Sequence, residues 1–214
     1  MTSSFRSTGS IWAFWLLLIG LLASTAVGTT SAQAQSQPQD QAQSNTRTYT
    51  ENPRVVIETS VGSIEIELLP KFAPKHVDNF LNLVDKAFYD GLVFHRVIPG
   101  FMIQTGGFDA DINYREHDEI SVPNESFNGL KNRRGSVAAA RTDDPDSADT
   151  QFFINVVDNS SLDAKRGEPG YTVFGRVIDG FDAVEEIELT DTHLRNGMAG
   201  VPEQAITILS VRQR

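Results

Sequence analysis

One guanidinium and one amide flank a turn in the stretch Phe94–Gly107, which reads Phe-His-Arg-Val-Ile-Pro-Gly-Phe-Met-Ile-Gln-Thr-Gly-Gly. Arg96 sits among strand-forming residues, Pro99-Gly100 turns the chain, and Gln104 is carried on the returning segment before Gly106-Gly107 breaks it. By composition this is an ordinary buried β-hairpin, since Val, Ile and Phe favour strands and Pro-Gly favours turns. Arg96 would then make a structural ion pair, and Gln104 would satisfy backbone groups. The chemical alternative is a reaction in which no bond breaks. An X–Pro peptide bond rotates over a barrier of about 20 kcal/mol and takes tens of seconds or more unaided. As the bond twists, amide resonance is lost and the imide nitrogen becomes more basic. A guanidinium beside it gains more in the transition state than in the ground state, which is what catalysis requires. Arg suits this task because it stays charged and offers five donors in a fixed fork.

Other chemistries find little support. The chain has no G-x-S-x-G elbow, no H-E-x-x-H and no P-loop. It has no Cys, which removes disulfides, thiol nucleophiles and thiolate metal sites together. The four histidines, His76, His95, His117 and His193, lack metal-ligand spacing, and the run Glu116-His117-Asp118-Glu119 reads as a solvated loop. The acidic turn Arg141–Thr150 lacks the order of an EF-hand. Neither a metal nor a cofactor is expected.

The elements that must position Arg96 and Gln104 read as follows. Arg54–Ser60 and Ser63–Leu69 form a hairpin whose second strand alternates Ile64, Ile66 and Leu68 with Glu65 and Glu67, an outer face of solubilising charge. Pro74 opens a helix with Val77, Phe80, Leu81, Val84 and Phe88 on one stripe, ended by Gly91. His76, in its first turn, is expected at the surface. Leu92–Ile98 and Phe101–Thr105 are the strands of the opening stretch, and Gly106–Arg134 is a long loop without periodicity. Ser136–Ala140, Gln151–Val157 and Thr172–Ile178 read as strands, Phe181, Val184 and Ile187 mark a short helix, and Gly197–Pro202 is a turn before a closing strand Ala205–Val211. About eight strands in antiparallel order with two helices suggest a mainly β domain, a closed barrel or sandwich with helices at its ends.

Met1–Ala34 has the form of a secretory signal peptide: one charge, Arg6, an apolar Ile11–Ala23, and the small-x-small site Ala32-Gln33-Ala34. An uncleaved anchor is the alternative, at the short edge of what spans a bilayer. Residues 35–53 are rich in Gln, Ser, Thr and Asn and read as a flexible leader. Residues 54–214 would be one domain, long enough to bury a core without staples. The chain carries a net charge of −10, and loss of a segment whose only charge is Arg6 leaves −11. That argues against nucleic acid and anionic lipid as partners. A monomer, periplasmic after signal cleavage and free of the membrane, is expected.

The residue order adds more. From about Arg54 to the C-terminus the chain resembles the cyclophilin family of peptidyl-prolyl cis/trans isomerases. Phe94–Gln104 matches that family's central signature almost throughout, and Gln151-Phe152-Phe153-Ile154, Ser161-Leu162-Asp163 and Val173-Phe174-Gly175-Arg176-Val177 match later segments. The resemblance implies a closed eight-stranded antiparallel β-barrel capped by two α-helices. It implies that Arg96 is the catalytic arginine and that Gln104 holds a substrate carbonyl and helps orient Arg96. Phe101, Met102, Phe153 and Leu162 would form the proline pocket, and Ala140, Arg141 and Thr142 would line the peptide groove. Gln151 would flank the pocket, and Tyr171 would wall it. The chain departs from the well-known eukaryotic members at Ser161, where they carry a Trp that helps bind cyclosporin, and at Tyr171, where they carry a His. Exported bacterial members are the better match at the acidic turn and at Tyr171. The implied partners are unfolded or partly folded proline-containing polypeptides. Two rivals stand beside this reading: a proline-peptide-binding chaperone module with little turnover, and a lipocalin-like barrel with an open interior.

Overall fold

The computed structural model describes residues 47–118 and 120–214. The signal segment expected over residues 1–34, and the leader as far as residue 46, lie outside the described residues. No helix among the described residues is long and apolar enough to cross a membrane.

Ten strands, two α-helices and one short 3-10 turn are found among the described residues. The first hairpin joins β1 (Arg54–Thr59) to β2 (Gly62–Leu68). Helix α1 (Pro74–Asp85) follows, then β3 (Arg96–Ile98), β4 (Met102–Thr105), β5 (Ser136–Ala139) and β6 (Phe152–Asn155). The 3-10 turn Ser160–Leu162 precedes β7 (Val173–Asp179) and α2 (Phe181–Glu188). The chain ends with β8 (Thr192–Arg195), β9 (Met198–Pro202) and β10 (Ile208–Gln213). Eight strands form one curled antiparallel sheet in the order β10-β1-β2-β7-β5-β6-β4-β3, and β8 and β9 form a separate ribbon. No ladder joins β3 to β10. Short backbone bonds run near that gap: Gly91 N–H to the Ile208 carbonyl at 2.8 Å, Ile208 N–H to Leu92 at 2.7 Å, and Phe94 N–H to Ile206 at 3.0 Å.

Alternation along the strands divides the interior in two. Ile57, Ile64, Ile66 and Leu68 meet Val77, Phe80, Leu81 and Val84 of α1, together with Ile103, Phe152 and Ile154, in the main core. The residues between those strand positions, Met102 on β4 and Phe153 on β6, point to a second cluster with Ala138 and Val173. Phe101, Ala140, Leu162 and Tyr171 pack against that cluster. Period two thus separates the stabilising face of the sheet from the face that holds the site.

Four expectations are corrected. His76 is buried, because its ring Nδ1 lies 2.7 Å from a Glu125 carboxylate oxygen and its ring stacks near Phe174. Glu65 is not solubilising charge: it is buried under Arg54 and Arg214. Glu67 is partly covered and paired with Arg176 at 2.7 Å. The α1 helix ends at Asp85, with Ala87 at a φ of 52°, so Phe88 reaches the core from outside the helix. The segment read as a turn over Gly197–Pro202 contains strand β9, because Asn196 and Gly197 take φ values of 51° and 80° and close a hairpin.

Candidate active site

Arg96 and Gln104 are directly opposed in the β3–β4 ladder, so both side chains leave the sheet on the same face. Arg96 Nη1 donates to Gln104 Oε1 at 3.2 Å and lies 3.9 Å from the Met102 sulfur. A guanidinium only donates, so the Gln104 carbonyl must face it, which turns the Gln104 amide nitrogen away. That nitrogen donates to Gln151 Oε1 at 3.1 Å. Two amides thus stand in line behind the guanidinium. The Gln151 side chain rests on bare backbone: a Cβ on Gly107 would lie 2.9 Å from its Cδ.

Arg96 and Gln104 border a cavity of about 190 Å³. This is below the range of about 300–1,000 Å³ usual for drug-sized ligands and suits a single side chain. Phe101, Met102, Phe153, Leu162 and Tyr171 supply apolar wall, and Ala140 and Arg141 complete the lining. Phe101 reaches the cavity because Gly100, at a φ of 69°, turns the chain, closing a bond from Phe101 N–H to the Ile98 carbonyl at 3.0 Å. The buried amide of Asn159 then donates to the Phe101 carbonyl at 2.8 Å. Phe153 and Tyr171 meet edge to face at 5.6 Å. Thr142 and Gln151 do not line this cavity. They line an adjoining one of about 150 Å³ with Gln104, Ala140, Arg141, Ser147 and Asp149. The eleven residues singled out from the sequence therefore occupy one continuous region. A wider groove of about 620 Å³ lies elsewhere. Of its four cations, Arg176, Arg134 and Lys131 are paired with Glu67, Glu185 and Asp163, and the fourth is Arg133.

His95 alternates to the opposite face, where it is buried with its ring 4.7 Å from Phe108. Burial brings its imidazole down to about 4, with Arg96 adding to the fall and hydrogen bonds to Val93 and Gln151 resisting it. Near neutral pH it is uncharged and takes no part in proton transfer. The reaction derived from Arg96 needs none.

A family model described as "Cyclophilin type peptidyl-prolyl cis-trans isomerase/CLD" matches residues 54–213. The chain belongs to this family. A peptidyl-prolyl cis-trans isomerase of Acinetobacter baylyi is 47% identical over 161 residues, covering 75% of this chain and 85% of the relative. Peptidyl-prolyl cis-trans isomerase B of Escherichia coli is 46% identical over 162 residues, covering 73% and 97%. A solved cyclophilin type isomerase of Cryptosporidium parvum, crystallised in the presence of the dipeptide Ala-Pro, superposes with a TM-score of 0.63 at 27% identity and covers 75% of this chain and 98% of its own.

Within this cyclophilin, Ser161 is exposed and outside the cavity wall, so nothing there replaces the eukaryotic Trp. Tyr171 takes the wall position. Arg141 lies over its ring at 4.7 Å, and its other donors are held by the Thr142 and Pro169 carbonyls at 2.7 and 3.2 Å. Arg141 is thereby fixed as a lid over Tyr171 rather than a free cation. Sequence reasoning missed Ser147, Asp149 and His117. Ser147 accepts the Thr142 N–H at 2.9 Å and fixes the groove edge. His117 is not solvated: its side chain is 13% exposed and its Nε2 lies 3.6 Å from Asp149 Oδ2. No short motif marks these residues. They meet only because a loop of about thirty residues folds back over the start of β6.

Proposed function

We propose that this protein catalyses rotation about X–Pro bonds of exported polypeptides in the periplasm and so assists their folding. The observation that carries the reading is the Arg96–Gln104 pair, aimed by register into an apolar cavity sized for one ring. The proline ring would enter between Phe101, Met102, Phe153 and Leu162, leaving its imide nitrogen beside Arg96. Gln104 occupies one guanidinium donor and limits its swing, and the remaining donors are left for the substrate. The twisted amide has lost conjugation, so its nitrogen accepts a hydrogen bond that the planar amide accepts poorly. The guanidinium bond therefore strengthens on the way to the transition state. Thr142 and Gln151 border the space where the preceding backbone would run.

Export rests on the signal-like segment 1–34 and the small-x-small site at Ala32–Ala34. We read residues 35–53 as a leader and residues 54–214 as the catalytic domain, monomeric and free of the membrane. We further read the curled sheet as a closed barrel, an interpretation favoured by the backbone bonds between residues 91–94 and 206–208. The test is cis/trans exchange of an Ala-Pro-Phe peptide measured by NMR. The parent should accelerate exchange. Arg96→Ala should lower kcat about 10²- to 10³-fold, the usual loss when one transition-state donor is removed. Acceleration retained in the variant would assign catalysis to desolvation by the cavity. A folded but inactive parent would favour a proline-peptide-binding chaperone.

A further inference from the structure

We propose that His117 and Asp149 are positioning residues for the isomerase reaction, fastening the loop 106–118 to the segment that carries Gln151. This rests on the assignment of Arg96 as the catalytic group. The Asp149 carboxylate faces two ways. Its Oδ1 accepts from Thr150 N–H at 2.5 Å and from Gln151 N–H at 3.2 Å, which sets the backbone from which Gln151 reaches Gln104. Its Oδ2 lies 3.6 Å from His117 Nε2. The Asp149 carbonyl is held by Asn79 of α1 at 2.6 Å, so the carboxylate is the part left to respond to the loop.

His117 is itself fixed. Its Nδ1 lies 2.6 Å from the Asp118 carbonyl, which only accepts, so Nδ1 carries a hydrogen. With the ring protonated, the form that pairs with a carboxylate, Nε2–H donates to the Tyr114 oxygen at 2.6 Å and faces Asp149 Oδ2. Burial, and then the nearby Asp149 charge, raise the Tyr114 hydroxyl above its usual range, which keeps it neutral. The loop beneath is pinned by Arg115, whose N–H donates to the Gly107 carbonyl at 2.8 Å and whose guanidinium donates to the Phe88 and Asp90 carbonyls at 2.8 and 3.0 Å. The line runs from a pinned loop through His117, Asp149, Gln151 and Gln104 to Arg96. Each link is a named contact, and neither His117 nor Asp149 lines the proline pocket. Asp149 borders the adjoining 150 Å³ cavity, whereas His117 lines neither cavity. Variants of His117 therefore separate positioning from direct contact with substrate.

The test uses the chain purified after export, with peptide exchange for kcat and KM and side-chain amide NMR signals for Gln104 and Gln151. His117→Gln and Asp149→Asn should each lower kcat about three- to tenfold with KM little changed. The Asn variant keeps an acceptor for the Thr150 and Gln151 N–H groups. Asp149→Ala loses that as well and should fall further. The double variant His117→Gln/Asp149→Asn should lose no more than either single one, because both break the same link. The Gln104 and Gln151 amide signals should move in His117→Gln. This readout does not depend on turnover, so it decides the proposal even if the parent proves inactive. Unmoved amide signals with unchanged kcat would overturn it. So would a raised KM in Asp149→Asn with His117→Gln like the parent, since Asp149 would then be a substrate contact. Losses that multiply in the double variant would also overturn it.

Discussion

At the scale of single residues, the division of labour between Arg96 and His95 follows from one fact of strand geometry. Adjacent side chains leave a strand on opposite faces, so the permanent cation meets the cavity while the titratable ring is sealed in the core. The sealed ring has a consequence for stability. Native His95 stays neutral down to about pH 4, whereas the unfolded chain protonates it near 6.5. Between those values the unfolded state binds more protons, so stability falls as pH falls from about 6.5 towards 4 and is unaffected by this group above that window. At pH 5 the loss should be about 2 kcal/mol. Urea unfolding at pH 7 and pH 5 should show His95→Gln losing less stability than the parent over that interval. Equal losses would mean that the buried ring is protonated in the native state. Arg96 was legible from its neighbours in the sequence. The neutral state of His95 was not, because it depends on the burial that Phe108 and the long loop provide.

At the scale of elements, what could be read from the sequence was whatever repeats at period two or 3.6. The β1–β2 hairpin, the α1 stripe as far as Val84 and the strands bearing Arg96, Gln104 and Phe153 form where these periods place them. What escaped was set by partners distant in sequence. His76 looks like a surface residue of a first helical turn, and only Glu125, forty-nine positions away, explains its burial. Asn196-Gly197 is a hairpin signal in its own right, yet the short flanking strands lack the alternation that would announce them. The Glu125 contact also explains how α1 begins. Ala73 makes no side-chain cap, so Glu125 supplies one from the loop, accepting from Lys75 N–H at 3.2 Å and His76 N–H at 3.1 Å. Burial pushes the Glu125 carboxyl up, but the hydrogen bonds from the His76 ring and the two backbone N–H groups outweigh it and hold it below its ordinary value. Its contribution is therefore present above the ordinary carboxylate range and lost as pH falls through the lowered value. Glu125→Ala leaves these donors without a partner and should cost about 1–3 kcal/mol. A domain of this size then melts about 2–12 °C lower. Peptide exchange should be unchanged at a temperature where both proteins are folded. A melting curve matching the parent's would remove Glu125 as the cap of α1.

At the scale of the whole molecule, the question is where the domain begins. The family match starts at residue 54, and composition alone makes residues 35–53 before it a flexible leader. The described residues of that leader nonetheless engage α1. Arg47 donates to Asn82 at 2.8 Å and to Asp85 at 2.6 Å, and the Tyr49 hydroxyl donates to Asp78 at 2.5 Å while its ring packs against the main core. A tract poor in apolar residues can do this because one aromatic ring packs on the core while Asp78 and Asp85 of α1 accept hydrogen bonds from its polar groups. Burying part of Tyr49 and making a partly covered Arg47 pair should together contribute about 1–2 kcal/mol. Chains beginning at residues 35, 47 and 54 separate the possibilities. The first two should melt together, and the third about 2–8 °C lower. All three should exchange the Ala-Pro-Phe peptide at the same kcat, because neither Arg47 nor Tyr49 lines the 190 Å³ cavity. A chain starting at residue 54 that melts with the other two would make these contacts incidental and place the start of the folded unit at β1. A fall in melting temperature on removing residues 35–46 alone would shift the stabilising contact upstream of Arg47.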